Sequence, residues 1–221
     1  SVPQMMWTVI LALMPIVLAF VILFGFHAFR ILTVAVASAL LMEMGMRRLF
    51  KKRASLHDGS AVITALLLAL LLPPTLPTWT VALGSVFAVA VGKEIFGGLG
   101  QNPFNPTLVG MAFLHTSFPW LSHFSTRSLV AVEIWICVLA LFLGGLILLM
   151  KRLIYWEVPL LFGVIVVALS FLTKSGQGSA LFFINLFLAS LFLVTDPVTT
   201  PLTRLGVRWF AIGAGLLTGV M

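Results

Sequence analysis

Two asparagine side chains, Asn102 and Asn105, each precede a proline in the segment GKEIFGGLGQNPFNPTLVG, residues 92–110. Pro103 and Pro106 lack a backbone donor and push the residue before them away from helical conformation. Each amide then offers two donors and an acceptor oxygen at nearly the same depth. This pattern suits the edge of a flat heteroaromatic ligand that carries both donors and acceptors.

The same segment has a plainer interpretation as a cytoplasmic loop. Gly97, Gly98 and Gly100 permit positive φ and close backbone approach, with or without a ligand. Asn-Pro steps are common in turns, and Pro106 can begin the next helix. Spacing alone leaves both interpretations open.

Acidic residues form the second set of candidates. Asp58 could cap the helix that follows it or contact a ligand. Asp196 lies in TDPVTTP with the hydroxyl of Thr195, and a carboxylate at a break in a membrane helix is a candidate functional residue. Glu43 and Glu133 lie within or near apolar runs, where they could line an ion or proton path or pair inside the helix bundle.

Composition places the chain in a membrane. It has 221 residues, of which 61% are hydrophobic and 9% charged, whereas soluble domains carry about 25% charged residues. The net charge of +7 therefore indicates basic loops near lipid headgroups, and we expect no nucleic-acid partner. We expect no metal site, because the chain has a single cysteine and no two of its four histidines are four residues apart. We expect no stand-alone catalytic centre, because the sequence has neither a Ser-His-Asp triad order nor a nucleotide-binding motif.

Nine apolar segments are candidate membrane spans, and several of them are shorter than the roughly 20 residues that a spanning helix needs, or contain Pro or Gly. Alternating loops place ten Lys and Arg residues on one side and three on the other, which predicts a cytoplasmic N-terminus. The ten include Arg47 and Lys93. The predicted spans are about 5–26, 29–46, 60–76, 78–96, 106–121, 129–150, 156–173, 179–195 and 205–221.

A short repeat suggests two related halves. Gly59-Ser60-Ala61 opens the third span and Gly178-Ser179-Ala180 opens the eighth. Each copy is followed by an apolar run, a proline-broken segment and another helix. Because the copies are five spans apart, they enter the membrane from opposite faces, as in inverted-repeat transporters. We predict a first repeat over 1–128 and a second over 129–221, which lacks its last helix.

Several motifs together resemble one family of membrane subunits. They are SVPQMMWTVILALMP, DGSAVITALLLALLLPP, GKEIFGGLGQNPFNPTLVG, LGGLILLMKRLIYWEVP and TDPVTTPLTRLG. The family comprises RnfD, a membrane component of the Rnf complex, and NqrB, the corresponding component of the sodium-pumping NADH:quinone oxidoreductase. The chain resembles the Rnf version more closely, over nearly its whole length.

The resemblance implies an all-α, ten-helix inverted repeat similar to urea channels, with nine spans visible here. It implies a bacterial inner-membrane complex that couples electron flow from ferredoxin or NADH to Na⁺ or H⁺ translocation, with other membrane subunits as partners. This subunit would not be catalytic alone. It would carry riboflavin or FMN, with cofactor contacts at Gly100, Asn102, Pro103, Asn105, Asp58, Thr195 and Asp196.

One loop departs from the family pattern. The family attaches FMN to a threonine in a motif of the form [SD]-x-x-[ST]-x-A-T, between spans five and six. Here the loop is WLSHFSTRS, residues 120–128, with Arg127 in place of the alanine and Ser128 in place of the threonine. Thr126 is out of register, so non-covalent flavin is favoured over covalent FMN.

Two other functions compete with a flavin-carrying role. The same fold could form a channel for a small polar solute, or the chain could be a flavin-free subunit that only holds the complex together. Fold analogy does not separate them.

Overall fold

The computed structural model describes residues 2–51, 58–123, 129–173, 180–196, 198–201 and 203–220. All regular secondary structure within these residues is helical, and the chain divides into two compact units, 1–127 and 128–221. The α-helices are α1 (Val2–Phe24), α2 (Phe26–Leu49), α3 (Ser60–Leu71), α4 (Thr78–Val89), α5 (Pro106–Ser117), α6 (Ala131–Met150), α7 (Glu157–Thr173), α8 (Ala180–Leu188) and α9 (Arg204–Val220).

Three of the described helices, α1, α2 and α6, are long and apolar enough to cross a membrane. Helices α3, α7 and α8 are apolar but shorter. Long apolar helices with few charged residues are stable in the hydrocarbon core of a bilayer and not in water. The protein is therefore a multi-pass membrane protein. The predicted all-α membrane fold is confirmed at this level.

The third and fourth helices are shorter than the predicted spans. Helix α3 has 12 residues and ends at Leu71 rather than near residue 76, because Pro73 and Pro74 cannot continue it. Helix α4 begins at Thr78, directly after Pro77. Twelve residues rise about 18 Å, well short of the roughly 30 Å of a bilayer core.

Helix α4 ends in a wider turn that leads into the Asn-Pro loop. Its last turn is a π-helical segment, Ala90–Glu94, followed by loop 95–105, in which Gly97, Gly98 and Gly100 have φ of 123°, 105° and 88°. After this loop the chain returns to the π-helical segment, so that Pro106 lies close to Gly92. A Cβ on Gly92 would lie 2.8 Å from the Cα of Pro106, so only glycine allows this approach.

Unit 1 is built around α2, which packs against α3 and α4, while α5 packs against α4. The α4–α5 crossing is tight because small residues face each other. A Cβ on Gly110 would lie 2.8 Å from the Cβ of Ala88 and 2.9 Å from the carbonyl oxygen of Gly84. Small residues at such crossings are typical of packing in membranes.

Unit 2 has its own core between α7 and α9. Val158, Phe162 and Val166 of α7 pack with Val207 and Ala211 of α9. Helix α8 continues into a second π-helical segment, Ala189–Leu193, before the TDPVTTP break.

The inverted repeat stays a prediction. The pairing of α2 with α4 in unit 1 is matched by that of α7 with α9 in unit 2, as a repeat requires. The π-helical segments do not match, because one follows α4 and the other follows α8. Gly178 and Ser179 of the second Gly-Ser-Ala copy lie outside the described residues.

Candidate functional site

Five ionisable side chains converge inside unit 1, and we call them the ionic cluster. They are Glu43 and Arg47 of α2, Asp58 just before α3, and Lys93 and Glu94 of the π-helical segment. All five are buried, with exposed fractions of 1%, 8%, 7%, 1% and 1%. Three carboxylates and two basic groups give the cluster a formal charge of −1, an unusual content for a buried site.

Arg47 links the carboxylates of the cluster. It lies one helical turn after Glu43, and its Nη2 donates to Glu43 Oε1 at 2.6 Å and to Asp58 Oδ2 at 3.0 Å. Its Nε lies 3.5 Å from Glu94 Oε1. One guanidinium therefore connects α2 to the start of α3 and to the end of α4, as a planar group with five donors can.

Lys93 connects the same elements through a second set of hydrogen bonds. Its Nζ donates to Glu43 Oε1 at 2.5 Å and to Ser60 Oγ at 2.5 Å. The π-helical segment positions this ammonium by adding one residue to the last turn of α4, and such segments are frequent at functional sites.

Glu94 differs from the other acids of the cluster. Neither of its carboxylate oxygens has a hydrogen-bond partner among the described residues, although both are buried. Its contacts with Arg47 and with Lys93, at 3.5 and 3.8 Å, are ion pairs only. A buried acceptor without a donor is costly, and it is a position where a proton, an ion or a ligand donor could bind.

Asp58 organises the start of α3. Its Oδ1 accepts from the backbone N–H of Ser60 at 3.0 Å and from Ser60 Oγ at 2.7 Å. Burial alone would raise the pKa of Asp58, but the charge of Lys93, the hydrogen bonds from Ser60 and that from Arg47 together lower it. The N-cap is Gly59 in the left-handed conformation, so Asp58 is not the N-cap; it lies one residue before it and accepts from Ser60, the first residue of α3.

The Asn-Pro loop adjoins the ionic cluster. A Cβ on Gly98 would lie 3.8 and 3.9 Å from the two carboxylate oxygens of Glu94. The amide of Asn102 is buried and its Nδ2 donates to the Phe104 carbonyl at 3.0 Å. Asn105 is also buried and is the N-cap of α5, where its Oδ1 accepts from the Thr107 N–H at 2.9 Å.

The second break, TDPVTTP, lies in unit 2 and has its own local bonds. Asp196 Oδ1 accepts from the Val198 N–H at 3.3 Å, and its Oδ2 accepts from the Thr199 hydroxyl at 3.2 Å. The Thr195 hydroxyl donates to the Leu191 carbonyl. Asp196 and Thr195 therefore shape the turn between the π-helical segment and α9.

Two basic residues are placed differently from the sequence interpretation, which counted Arg47 and Lys93 as loop charges. Both are buried in the ionic cluster, because α2 and α4 continue into positions where these side chains meet carboxylates. The i, i+4 spacing of Glu43 and Arg47 on one helix face was the signal that could have indicated a pair. Glu133 accepts from the Val130 N–H at 3.0 Å, so it caps the start of α6.

Loop 120–128, which was compared with the FMN-attachment motif, lies largely outside the described residues. Thr126 and Ser128 both fall in the part 124–128 that the structure does not describe.

A family model described as NQR2, RnfD, RnfE matches the chain in two segments, residues 1–132 and 120–221. The two segments overlap at this loop.

Individual relatives match over almost the whole chain. The D subunit of the proton-translocating ferredoxin:NAD(+) oxidoreductase complex of Clostridium ljungdahlii is 31% identical, over 100% of this chain and 82% of its own length. The D subunit of an ion-translocating oxidoreductase complex of Methanosarcina acetivorans is 34% identical, over 98% and 79%. The D subunit of the Na(+)-translocating ferredoxin:NAD(+) oxidoreductase complex of Acetobacterium woodii is 30% identical, over 100% and 80%.

The family match covers both units, and the motifs that carry the resemblance include residues of the ionic cluster, the Asn-Pro loop and the TDPVTTP turn. The chain belongs to the NQR2, RnfD, RnfE family.

Proposed function

We propose that the chain is a flavin-carrying integral subunit of an ion-translocating complex that transfers electrons between ferredoxin or NADH and a further acceptor. The relatives are named as subunits of such complexes, some proton-translocating and some Na⁺-translocating. The observation that carries the proposal is the juxtaposition of a buried cluster of charges and a buried amide loop in one unit.

The flavin would be riboflavin or FMN, held without a covalent bond by the Asn-Pro loop. The local bonds of Asn102 and Asn105 orient both amides, and an amide can make up to four hydrogen bonds, so the two side chains fit a ligand edge. Gly100 and Pro103 would shape the loop around it. The flavin supplies the electron-transfer chemistry when bound, and the protein supplies burial and orientation.

Flavin content tests this assignment. The double replacement Asn102→Ala/Asn105→Ala should leave the protein in the membrane but remove most of its flavin. Gln101→Ala is the matched control, because Gln101 is an exposed amide in the same loop and its loss should leave flavin content unchanged. Wild-type flavin content in the double variant would contradict the assignment.

The ionic cluster would belong to the ion path. Its formal charge of −1 and the two unsatisfied oxygens of Glu94 favour a transferable positive charge at this position. Glu94→Gln should therefore reduce ion uptake by membrane vesicles more than it reduces electron transfer. An equal loss of both, with wild-type amounts of protein, would mean that Glu94 has no separate role in coupling.

The other predicted ligands are bound locally. Asp58 is committed to Arg47 and Ser60, so we propose that it supports the ionic cluster beside the loop. Asp196 and Thr195 would hold the TDPVTTP turn in place. Asp196→Ala should impair activity more than assembly, and loss of the protein from the membrane would make its role structural.

A flavin-free assembly subunit is the second candidate. It is favoured by the local hydrogen bonds of both asparagines, since capping and turn formation alone could account for these residues. The flavin content of the purified wild-type protein distinguishes the two functions, because an assembly subunit would contain no flavin and would still copurify with its partners.

We place the protein in the bacterial cytoplasmic membrane, among other membrane subunits, with a cytoplasmic N-terminus. Setting aside Arg47 and Lys93, the ten basic residues become eight against three, which still favours this orientation. Labelling of a cysteine introduced at Arg48, in a Cys137→Ser background, should require permeabilised cells. Labelling of this cysteine in intact cells would contradict a cytoplasmic N-terminus and indicate the opposite orientation.

A further inference from the structure

An apolar groove runs along unit 2 between three helices. Its volume is about 540 Å³, which is within the range of about 300–1,000 Å³ that is typical of pockets for one small ligand. We call it the α6–α8 groove. Its walls come from α6 (Phe142 to Leu149), the N-terminal part of α7 with the residue before it (Trp156 to Val167), and α8 with its π-helical segment (Phe183 to Leu191).

Small side chains create this space. A Cβ on Gly163 would meet no atom within 4 Å, so this face of α7 is open. Gly145 on α6 is in close contact with Leu191, whose Cδ2 would lie 3.1 Å from an added Cβ, and this contact closes one side. Among the described lining residues Ser190 alone carries a hydroxyl, and its Oγ donates to the Phe187 carbonyl at 2.8 Å. The groove therefore offers a mostly apolar surface, on which the Ser190 hydroxyl already has a partner.

The length of the groove along its helices is similar to the thickness of the apolar part of one bilayer leaflet. Its wall extends over 142–149 on α6 and over 156–167 on α7, which at 1.5 Å per residue is about 10 to 16 Å. Half of a bilayer core is about 15 Å. Leu160 is 53% exposed and Phe142 is 58% exposed, so the groove is open along its side, where a lipid chain could enter.

Charge is concentrated at one end of the groove. Lys151 and Arg152 directly follow α6 and are exposed, close in sequence to Leu149 at the end of the wall. Tyr155 and Trp156 at the same end are 47% and 62% exposed, as expected for aromatic residues at headgroup depth. Glu157, the acidic group nearest in sequence, is paired with Arg208 at 2.6 and 2.9 Å.

Arg152 also lines a second, smaller cavity. This cavity of about 180 Å³ is bordered by Tyr155, Thr195 and Thr200 as well. Its lining includes a guanidinium and a phenol, whereas the two threonine hydroxyls already donate to the Leu191 and Asp196 carbonyls. Arg152 and Tyr155 follow the end of α6 in sequence, as Lys151 does, so the small cavity adds to the basic and aromatic character of this end.

We propose that the α6–α8 groove binds one acyl chain of an anionic phospholipid, with the lipid phosphate near Lys151 and Arg152. The apolar lining selects the chain, and the basic end selects an anionic headgroup over a zwitterionic one. The depth of the groove selects a lipid of a single leaflet. The proposal is independent of the flavin and of the redox function.

Native mass spectrometry of the purified, delipidated full chain tests the proposal. The probes are phosphatidylglycerol and phosphatidylethanolamine with identical acyl chains. Two basic residues beside an anionic lipid should make phosphatidylglycerol bind at least about tenfold more tightly. Lys151→Gln/Arg152→Asn should remove this preference, and asparagine is chosen because Arg152 has a φ of 54°, which asparagine tolerates. Equal binding of both lipids by the wild type would overturn the proposal.

A second variant fills the groove. A Cβ at Gly163 meets no atom within 4 Å, and Gly163→Leu should weaken binding of both lipids at least about tenfold, since the added side chain occupies volume that the acyl chain needs. Gly213→Leu is the matched control, because a Cβ there also meets nothing within 4 Å and Gly213 lies on α9, outside the groove. Unchanged lipid binding by Gly163→Leu would refute the site.

Photo-crosslinking separates a lipid from a neighbouring protein. A photoreactive amino acid at Leu160, in native membranes, should yield a lipid adduct detectable by mass spectrometry. A crosslink to another polypeptide would mean that a protein helix covers the groove, and the lipid proposal would be wrong.

Discussion

Lys93 gives the sharpest test of the ionic cluster. Its side chain is 2% exposed and contacts Glu43 and Ser60, each at 2.5 Å. Lys93→Met removes the ammonium but keeps most of the side-chain volume, so the formal charge of the cluster changes from −1 to −2. Removing one partner of a buried ion pair costs about 3–5 kcal/mol, a large fraction of the roughly 5–15 kcal/mol by which proteins are stable.

The assay is a titration of the protein in mixed micelles with increasing SDS, in which circular dichroism monitors unfolding. Lys93→Met should lower the free energy of unfolding by about 3–5 kcal/mol. Glu43→Gln/Lys93→Met returns the formal charge to −1 and should recover at least about 2 kcal/mol of that loss. Lys151→Met, at an exposed position, should change stability by less than about 0.5 kcal/mol. Additive effects of the Glu43 and Lys93 replacements would refute the pairing.

Three further predictions concern the neighbouring loop and helices. Asn105→Ala should lower the free energy of unfolding by about 1 kcal/mol through loss of the α5 cap, whereas Asn105→Asp should retain most of it in the same SDS titration. Gly92→Ala should cost about 1–3 kcal/mol, and more than Gly84→Ala, because the added carbon meets the Pro106 backbone at 2.8 Å in the first case and a leucine methyl group in the second; equal costs would contradict the fixed approach of α5. The lowered pKa of Asp58 means that its contribution to stability is complete above its ordinary pKa of 3.8 and is lost as the pH falls through the lower pKa of the folded protein. Asp58→Asn should therefore flatten the pH dependence of thermal stability below pH 3.8, and an unchanged acid limb would refute this role.

The helices were largely predictable because their limits depend on local chemistry. Apolar runs indicated α1, α2 and α6, and prolines marked the starts of α4 and α5. The predicted spans were too long where helices end inside apolar sequence, as α3 does at Leu71. Hydropathy measures whether a residue tolerates lipid, but it does not report whether the backbone remains helical.

The ionic cluster could not be predicted in the same way. Glu43 and Lys93 are 50 residues apart, and their contact depends on how α2 and α4 pack. The positive-inside rule treats each Lys or Arg as a loop residue, so it hides basic groups that are buried against carboxylates. The π-helical segment that positions Lys93 has no recognised sequence signature, whereas Asn105 before Pro106 predicted the start of α5 directly.

Flavin bound by the purified protein is the most direct test of the central claim. The visible absorption and fluorescence of the protein should show flavin at close to one molecule per chain or more, and acid precipitation should release it into the supernatant. Colour that stays in the pellet would instead indicate covalent FMN. A colourless preparation of folded protein, purified with its partner subunits, would contradict the proposed function.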